Sequence, residues 1–126
     1  MKKLNKLQTL KSLKIQTRIM IYLGQNPNEV SFGKGVATLL RGVEETGSLN
    51  AAAKRIKMAY SKAWRIVKET EAGFGFALID RDGARGSTLT REGQILLDAY
   101  EDTESRSAEY AAQRFAATLE EQLESL

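Results

Sequence analysis

The stretch between Gly47 and Gly75 concentrates side chains that donate hydrogen bonds and carry positive charge. Four of them share one face of a helix that begins near Tyr60, and we call them the cationic face: Ser61, Lys62, Arg65 and Lys68. Lysine and arginine donate to phosphate oxygens and to O6 and N7 of guanine, and the major groove of DNA admits a helix. The chemistry that this pattern predicts is recognition of duplex DNA rather than catalysis.

The elements around this face predict how it is held. The same helix has an apolar stripe for docking, formed by Ala63, Val67, Thr70 and Phe74. A shorter helix precedes it, with Ser48 as N-cap and a stripe of Leu49, Ala52, Ala53 and Ile56. Two short helices joined by a tight connection, the second one basic, predict a helix-turn-helix whose second helix reads DNA.

Two earlier segments complete the predicted core. Apolar and polar residues alternate from Leu13 to Leu23, which predicts a strand, and turn residues 24–28 lead to a second arm over 29–32. A third helix is expected over 34–45, with Gly47 as its left-handed terminator. Its buried stripe is Val36, Leu39, Leu40 and Val43.

A short hairpin is expected after the basic helix. Residues 77–80 and 88–90 read as strands on either side of a glycine-rich turn, an arrangement called a wing. Arg81 lies at its base and Arg85 at its tip, and both are predicted to contact the minor groove or flanking phosphates. The winged helix-turn-helix domain is therefore assigned to residues 13–100. Residues 1–12 are interpreted as a basic arm, and the alternative for the first ten residues is one or two turns of helix.

A long helix is predicted to begin after Thr90 and to continue for roughly 35 residues. Its first turns are expected to pack on the domain near Ile95, Leu96, Ala99 and Tyr100. Residues 101–126 then form a dimerisation helix, because their apolar stripe needs a partner: Tyr110, Phe115, Leu119 and Leu123. The alternative is that this helix bends back on its own domain. The expected fold class is α+β, mainly α: a winged helix-turn-helix with an N-terminal β-hairpin and a long C-terminal helix.

The charge distribution and the amino-acid composition limit the classes of function that this chain could have. Residues 1–90 carry sixteen Lys and Arg against seven Asp and Glu, whereas residues 91–126 carry three against nine. The basic part suits a polyanion. Without histidine or cysteine the common catalytic triads and zinc sites have no agents, so we expect neither an enzyme nor a metal. No membrane span or leader is apparent, and the cytoplasm is the expected compartment.

Three segments carry a resemblance to a known family: residues 47–53 (GSLNAAA), 58–64 (MAYSKAW) and 89–93 (LTREG). They resemble the N-terminal DNA-binding domain of molybdate-responsive (ModE-type) transcription regulators, and LysR-type regulators share the AAA and LTxxG signatures more distantly. The resemblance implies a homodimer that binds operator DNA. It implies contacts from Tyr60, from the cationic face and from wing residues 81–88; Ser48 and Ser87 complete the predicted contact set.

Two features qualify what the resemblance implies. Ala59 stands where the family has serine at the N-cap of the recognition helix. No β-rich molybdate-binding module follows the wing, so no cofactor is expected and a separate sensor partner is possible. Trp64 is predicted to pack between the recognition helix and the preceding strands, and the Tyr60 hydroxyl to meet phosphate. The alternative function is a protein-interaction module that uses a winged fold without reading DNA.

Overall fold

The computed structural model of the chain describes residues 4–26, 29–81 and 86–125. They fall into two compact units: the winged unit, Arg18–Asp102, and the terminal unit, Met1–Thr17 with Thr103–Leu126. The predicted class, α+β and mainly α, is confirmed. The elements in chain order are α1 (Lys6–Ser12), β1 (Ile21–Tyr22), β2 (Ser31–Phe32), α2 (Lys34–Thr46), α3 (Leu49–Arg55), α4 (Tyr60–Phe74), β3 (Ile79–Arg81), β4 (Ser87–Leu89) and α5 (Arg91–Glu124).

The core of the winged unit lies between α2, α3, α4 and the start of α5. The predicted stripe of α2 is buried in full, and Phe32, Leu78 and Leu97 fill the space around it. Helices α2 and α3 cross closely because Gly42 faces Ala52: a Cβ built on Gly42 would stand 2.6 Å from the Cβ of Ala52. The small residues of the two helices therefore set the distance between them.

The corner between α2 and α3 forms as the sequence predicts. Gly47 adopts the left-handed conformation with φ of 77°, and its amide donates to the carbonyl of Val43. The Ser48 hydroxyl then accepts a hydrogen bond from the amide of Ala51 at 3.2 Å, which caps α3. Ile56 was expected on the buried stripe of α3 but lies beyond its last turn and is 37% exposed.

The predicted strand over residues 13–23 is wrong for most of its length. Only Ile21 and Tyr22 pair, antiparallel to Phe32 and Ser31. A strand needs a neighbour for its backbone groups, and within the described ranges residues 13–20 have none. Ile19 and Ile21 still pack against the core, so the alternation does record which side of this segment faces inward.

Helix α5 begins as predicted, since the Thr90 hydroxyl accepts from the amide of Gly93 at 2.9 Å and donates to the carbonyl of Ala77. Its packing face agrees with the prediction at Leu96, which packs against the core, and at Tyr100, but not at Ile95 and Ala99. Leu97 and Tyr100 are buried, whereas Ile95 is 56% exposed and Ala99 is exposed. The cap at Thr90 holds the helix to the end of the loop before β3, and this fixes its rotation about its own axis.

In the terminal unit, residues 6–12 form a helix rather than an irregular arm. The Asn5 side chain accepts from the amide of Gln8, and the Gln8 side chain accepts from the amide of Asn5, a reciprocal cap. The segment after this helix lines a groove of about 540 Å³ along α5, formed with Leu13 and Ile15 by Phe115, Leu119 and Leu123. In the described part of the chain, no helix is both long and apolar enough to cross a membrane.

Candidate nucleic-acid interface

Helix α4 presents its cationic face to solvent. The docking stripe of Ala63, Val67 and Thr70 is buried and Phe74 is half-buried. The four residues of the cationic face are all exposed, as the sequence predicts. No hydrogen bond from a side chain caps this helix at Ala59, so the amides of its first turn point outward without a protein side chain to satisfy them.

Arg65, like Lys62, is an unengaged cation of this face. Among the described residues it has no ion-pair or side-chain hydrogen-bond partner. Lys68, by contrast, lies 3.0 Å from the Glu71 carboxylate and 4.4 Å from the centroid of the Trp64 ring. The two cations are one turn apart on the same helix, yet only Arg65 is wholly available to a ligand.

The wing is anchored to the corner between α2 and α3. The amide of Ser87 donates to the carbonyl of Gly47 at 2.8 Å, and Gly86 takes φ of 101° beside that carbonyl. A Cβ on Gly86 would collide with the Gly47 oxygen, so only glycine allows this approach. Ser87 is itself buried. Arg85, predicted at the tip, lies outside the described residues.

A buried carboxylate ties α4 to the start of β3. Glu71 is 8% exposed, and one of its oxygens accepts from the amides of Leu78 at 2.7 Å and Ile79 at 3.2 Å. Sequence reasoning gave Glu71 no role. The available signal was its position, four residues after Val67 and therefore on the docking stripe, where an unpaired charge is costly.

Trp64 is half-buried and packs against the core, and two cations also lie over its ring. The guanidinium carbon of Arg81 lies 3.7 Å from the centroid of the indole, and Lys68 lies over the same ring. Arg81 also donates a hydrogen bond to the Tyr60 hydroxyl. The contact forms because β3, which follows α4, runs beside its first turns and brings Arg81 over them.

Several predicted site residues meet in one depression beside α4. A cavity of about 380 Å³ brings Ser48, Tyr60, Arg81 and Ser87 together, and Asn50, which sequence reasoning did not select, joins them. The cationic face does not line this cavity. The described residues hold no cluster of three or more acidic side chains that could bind a metal ion.

Comparison with known proteins shows which family has a similar DNA-binding segment. Residues 37–94 match the profile of the family described as bacterial regulatory helix-turn-helix protein, lysR family. The matched segment runs from α2 through the wing to the first turn of α5. This segment is similar to the helix-turn-helix domain of LysR-type regulators. The predictions of a DNA-binding domain of this class and of a transcription regulator are thereby confirmed, whereas none of the comparisons points to the molybdate-responsive group.

Solved structures with the LysR-type domain agree with this assignment. A complex of the CbnR DNA-binding domain with DNA is 26% identical, covers 66% of this chain and 94% of its own, and superposes with a TM-score of 0.56. The BenM DNA-binding domain bound to benA site 1 DNA shares the fold at 21% identity, with 64% of this chain and 92% of that chain covered and a TM-score of 0.54.

Full-length regulators extend well beyond the matched part. CbnR, a LysR family transcriptional regulator, is 27% identical over 65% of this chain with a TM-score of 0.54, but the match spans only 28% of the CbnR chain. No curated protein sequence matches significantly. This chain therefore spans less than a third of the length of that regulator.

Proposed function

We propose that this chain is a homodimeric regulator that inserts α4 into the major groove and lays its wing on the adjacent minor groove or backbone. The observation that carries the proposal is the exposure of the cationic face on a helix whose opposite stripe is buried. The positive charges and hydrogen-bond donors of this face can bind both DNA phosphates and the edges of guanine bases.

Arg65 and Lys62 are the proposed principal contacts. Both are exposed, and Arg65 has no partner among the described residues that would have to be displaced. An arginine that binds O6 and N7 of one guanine contributes about 1–3 kcal/mol to discrimination. Ser48 and Tyr60 line the cavity next to this face, and their contacts with the DNA backbone stay predictions.

Dimerisation is proposed through the C-terminal part of α5. Tyr110 is 68% exposed, and within the terminal unit Phe115, Leu119 and Leu123 line a groove rather than a filled core. An apolar stripe left open to water favours association. A two-fold dimer would match a two-fold operator, with half-sites about one helical turn apart.

The test is an anisotropy titration of a labelled duplex over a range of salt concentrations. The proposal predicts binding that weakens steeply with salt and that Arg65→Ala weakens by about 1–3 kcal/mol on the preferred sequence. Arg55→Ala is the matched control, because Arg55 lies on α3 and pairs with Glu45 at 2.8 Å. Equal behaviour of the two variants, or no salt-dependent binding at all, would favour the protein-interaction module instead.

Narrower assignments follow from this proposal. Action on operator DNA implies the cytoplasm as compartment, and a binding role needs neither catalysis nor a cofactor. The resemblance to molybdate-responsive regulators, which depends on the Tyr60 to Trp64 segment, stays a prediction. A sensor on a separate partner is proposed as the route by which a small ligand would act.

A further inference from the structure

We propose that Arg81 and Lys68 are positioning residues rather than phosphate contacts. Arg81 holds the wing to the recognition helix through Trp64 and Tyr60, and Lys68 supports Trp64 and Glu71, two α4 side chains that contact the wing or the residue before it. Both were predicted to meet DNA, Lys68 as part of the cationic face of α4 and Arg81 as a cation at the base of the wing. Their partners in the structure are protein groups. The expected effect on DNA binding rests on the proposed function, but the contacts of Arg81 and Lys68 are a property of the free protein.

The first tie lies at the end of β3. Arg81 covers the indole at 3.7 Å from its centroid and stands 5.6 Å from the Tyr60 ring, whose hydroxyl accepts its hydrogen bond. A guanidinium stacked on an aromatic ring while donating to a hydroxyl is held in one orientation. A phosphate would have to compete with both partners.

The second tie lies at the start of the same strand. Lys68 connects the indole to the Glu71 carboxylate, and Glu71 accepts from the amides of Leu78 and Ile79. Strand β3 is thus fixed to α4 at both ends, through Glu71 at Ile79 and through Trp64 and Tyr60 at Arg81. With only three residues in β3, these two ties set the angle at which the wing leaves the helix.

Trp64 is the only tryptophan of the chain, so its fluorescence reports on the tie directly. In Arg81→Gln the indole loses a cover, and we expect acrylamide to quench its emission about twofold more efficiently than in the unsubstituted protein, without DNA present. Arg65→Gln is the matched control: it removes the same charge from α4, and the structure gives it no contact with the indole. Unchanged quenching in Arg81→Gln would overturn the proposal.

The second readout is the salt dependence of duplex binding. Loss of a phosphate contact lowers the slope of log K against log salt by about 0.9, whereas loss of a positioning residue weakens binding without changing the slope. We expect Arg81→Gln and Lys68→Met to bind about 5–10-fold more weakly with the slope retained, and Lys62→Ala to lose slope. A reduced slope in Arg81→Gln would make Arg81 a phosphate contact and overturn the proposal. Were the unsubstituted protein to bind no DNA, the proposed function would fail, and quenching alone would still decide the tie.

Discussion

The carboxylate of Glu71 accepts a hydrogen bond from the backbone amide of Leu78 at 2.7 Å, in a site where both residues are buried. This bond spans seven residues and closes the turn between the recognition helix and the wing. A side chain near the end of α4 therefore provides the acceptor that the start of the wing lacks. Substitution of Glu71 tests how far the domain depends on it.

We expect Glu71→Ala to lower the free energy of unfolding by about 2–3 kcal/mol, because it leaves the buried amides of Leu78 and Ile79 without an acceptor. Glu71→Gln keeps one acceptor oxygen and should lower the free energy of unfolding by a smaller amount. Chemical denaturation followed by circular dichroism measures both. Glu69→Ala, an exposed neighbour on the same helix, is the control and should change stability by less than about 0.5 kcal/mol; equal losses at 69 and 71 would contradict the role given to Glu71.

Substitution by alanine at two glycines of α2 should change the stability of the domain in opposite directions. At Gly42 the new methyl group would meet Ala52, and overpacking of about 1–3 kcal/mol should exceed the gain in helix propensity. At Gly35 nothing lies within 4 Å of the Cβ that alanine adds. Only the gain in helix propensity remains, and it should stabilise the domain by up to about 0.5–1 kcal/mol. Thermal unfolding of the two variants is the measurement, and stabilisation by Gly42→Ala would show that α2 and α3 do not cross as described.

The proposed dimer predicts a specific loss of association. Phe115→Asp places a charge on the apolar stripe of α5, and we expect sedimentation analysis to shift from dimer to monomer at micromolar concentration. Gln113→Asp changes the charge equally at an exposed position two residues away and should leave the dimer intact. Should both variants sediment like the unsubstituted protein, the stripe would not be the dimer contact.

Lys62 supplies a prediction about salt. Its side chain is exposed on the cationic face, and a phosphate contact there would release about one counterion on binding. Lys62→Ala should therefore weaken binding on all duplexes alike and lower the slope of log K against log salt by about 0.9. Anisotropy titrations at four salt concentrations suffice, and an unchanged slope would place Lys62 outside the interface.

How much the sequence predicts depends on whether a feature is local. The stripe of α2, the cap at Ser48 and the left-handed Gly47 follow from neighbouring residues, and all are found as predicted. The strand over 13–23 fails because pairing depends on a partner that alternation does not reveal. The predicted packing face of α5 is right at Leu96 and Tyr100 but wrong at Ile95 and Ala99 for a similar reason, since the cap at Thr90 fixes the rotation of the helix through the distant carbonyl of Ala77.

The candidate site divides in the same way. Exposure of Lys62 and Arg65 follows from helical spacing and is confirmed. The surroundings of Trp64 and Glu71 are not local, because Arg81 and Leu78 reach them only after β3 folds back along α4. Sequence reasoning assigned Arg81 to DNA by its charge and its place in the wing, and it had no means of finding the aromatic ring beneath it.

Selection of bound duplexes from a random pool tests the central claim most directly, because it asks whether an exposed α4 reads sequence. The account predicts enrichment of an inverted repeat whose half-sites lie about 10 base pairs apart, and loss of the preferred base at one position in Arg65→Ala. A pool that stays random after repeated rounds, while the protein remains folded, would contradict it.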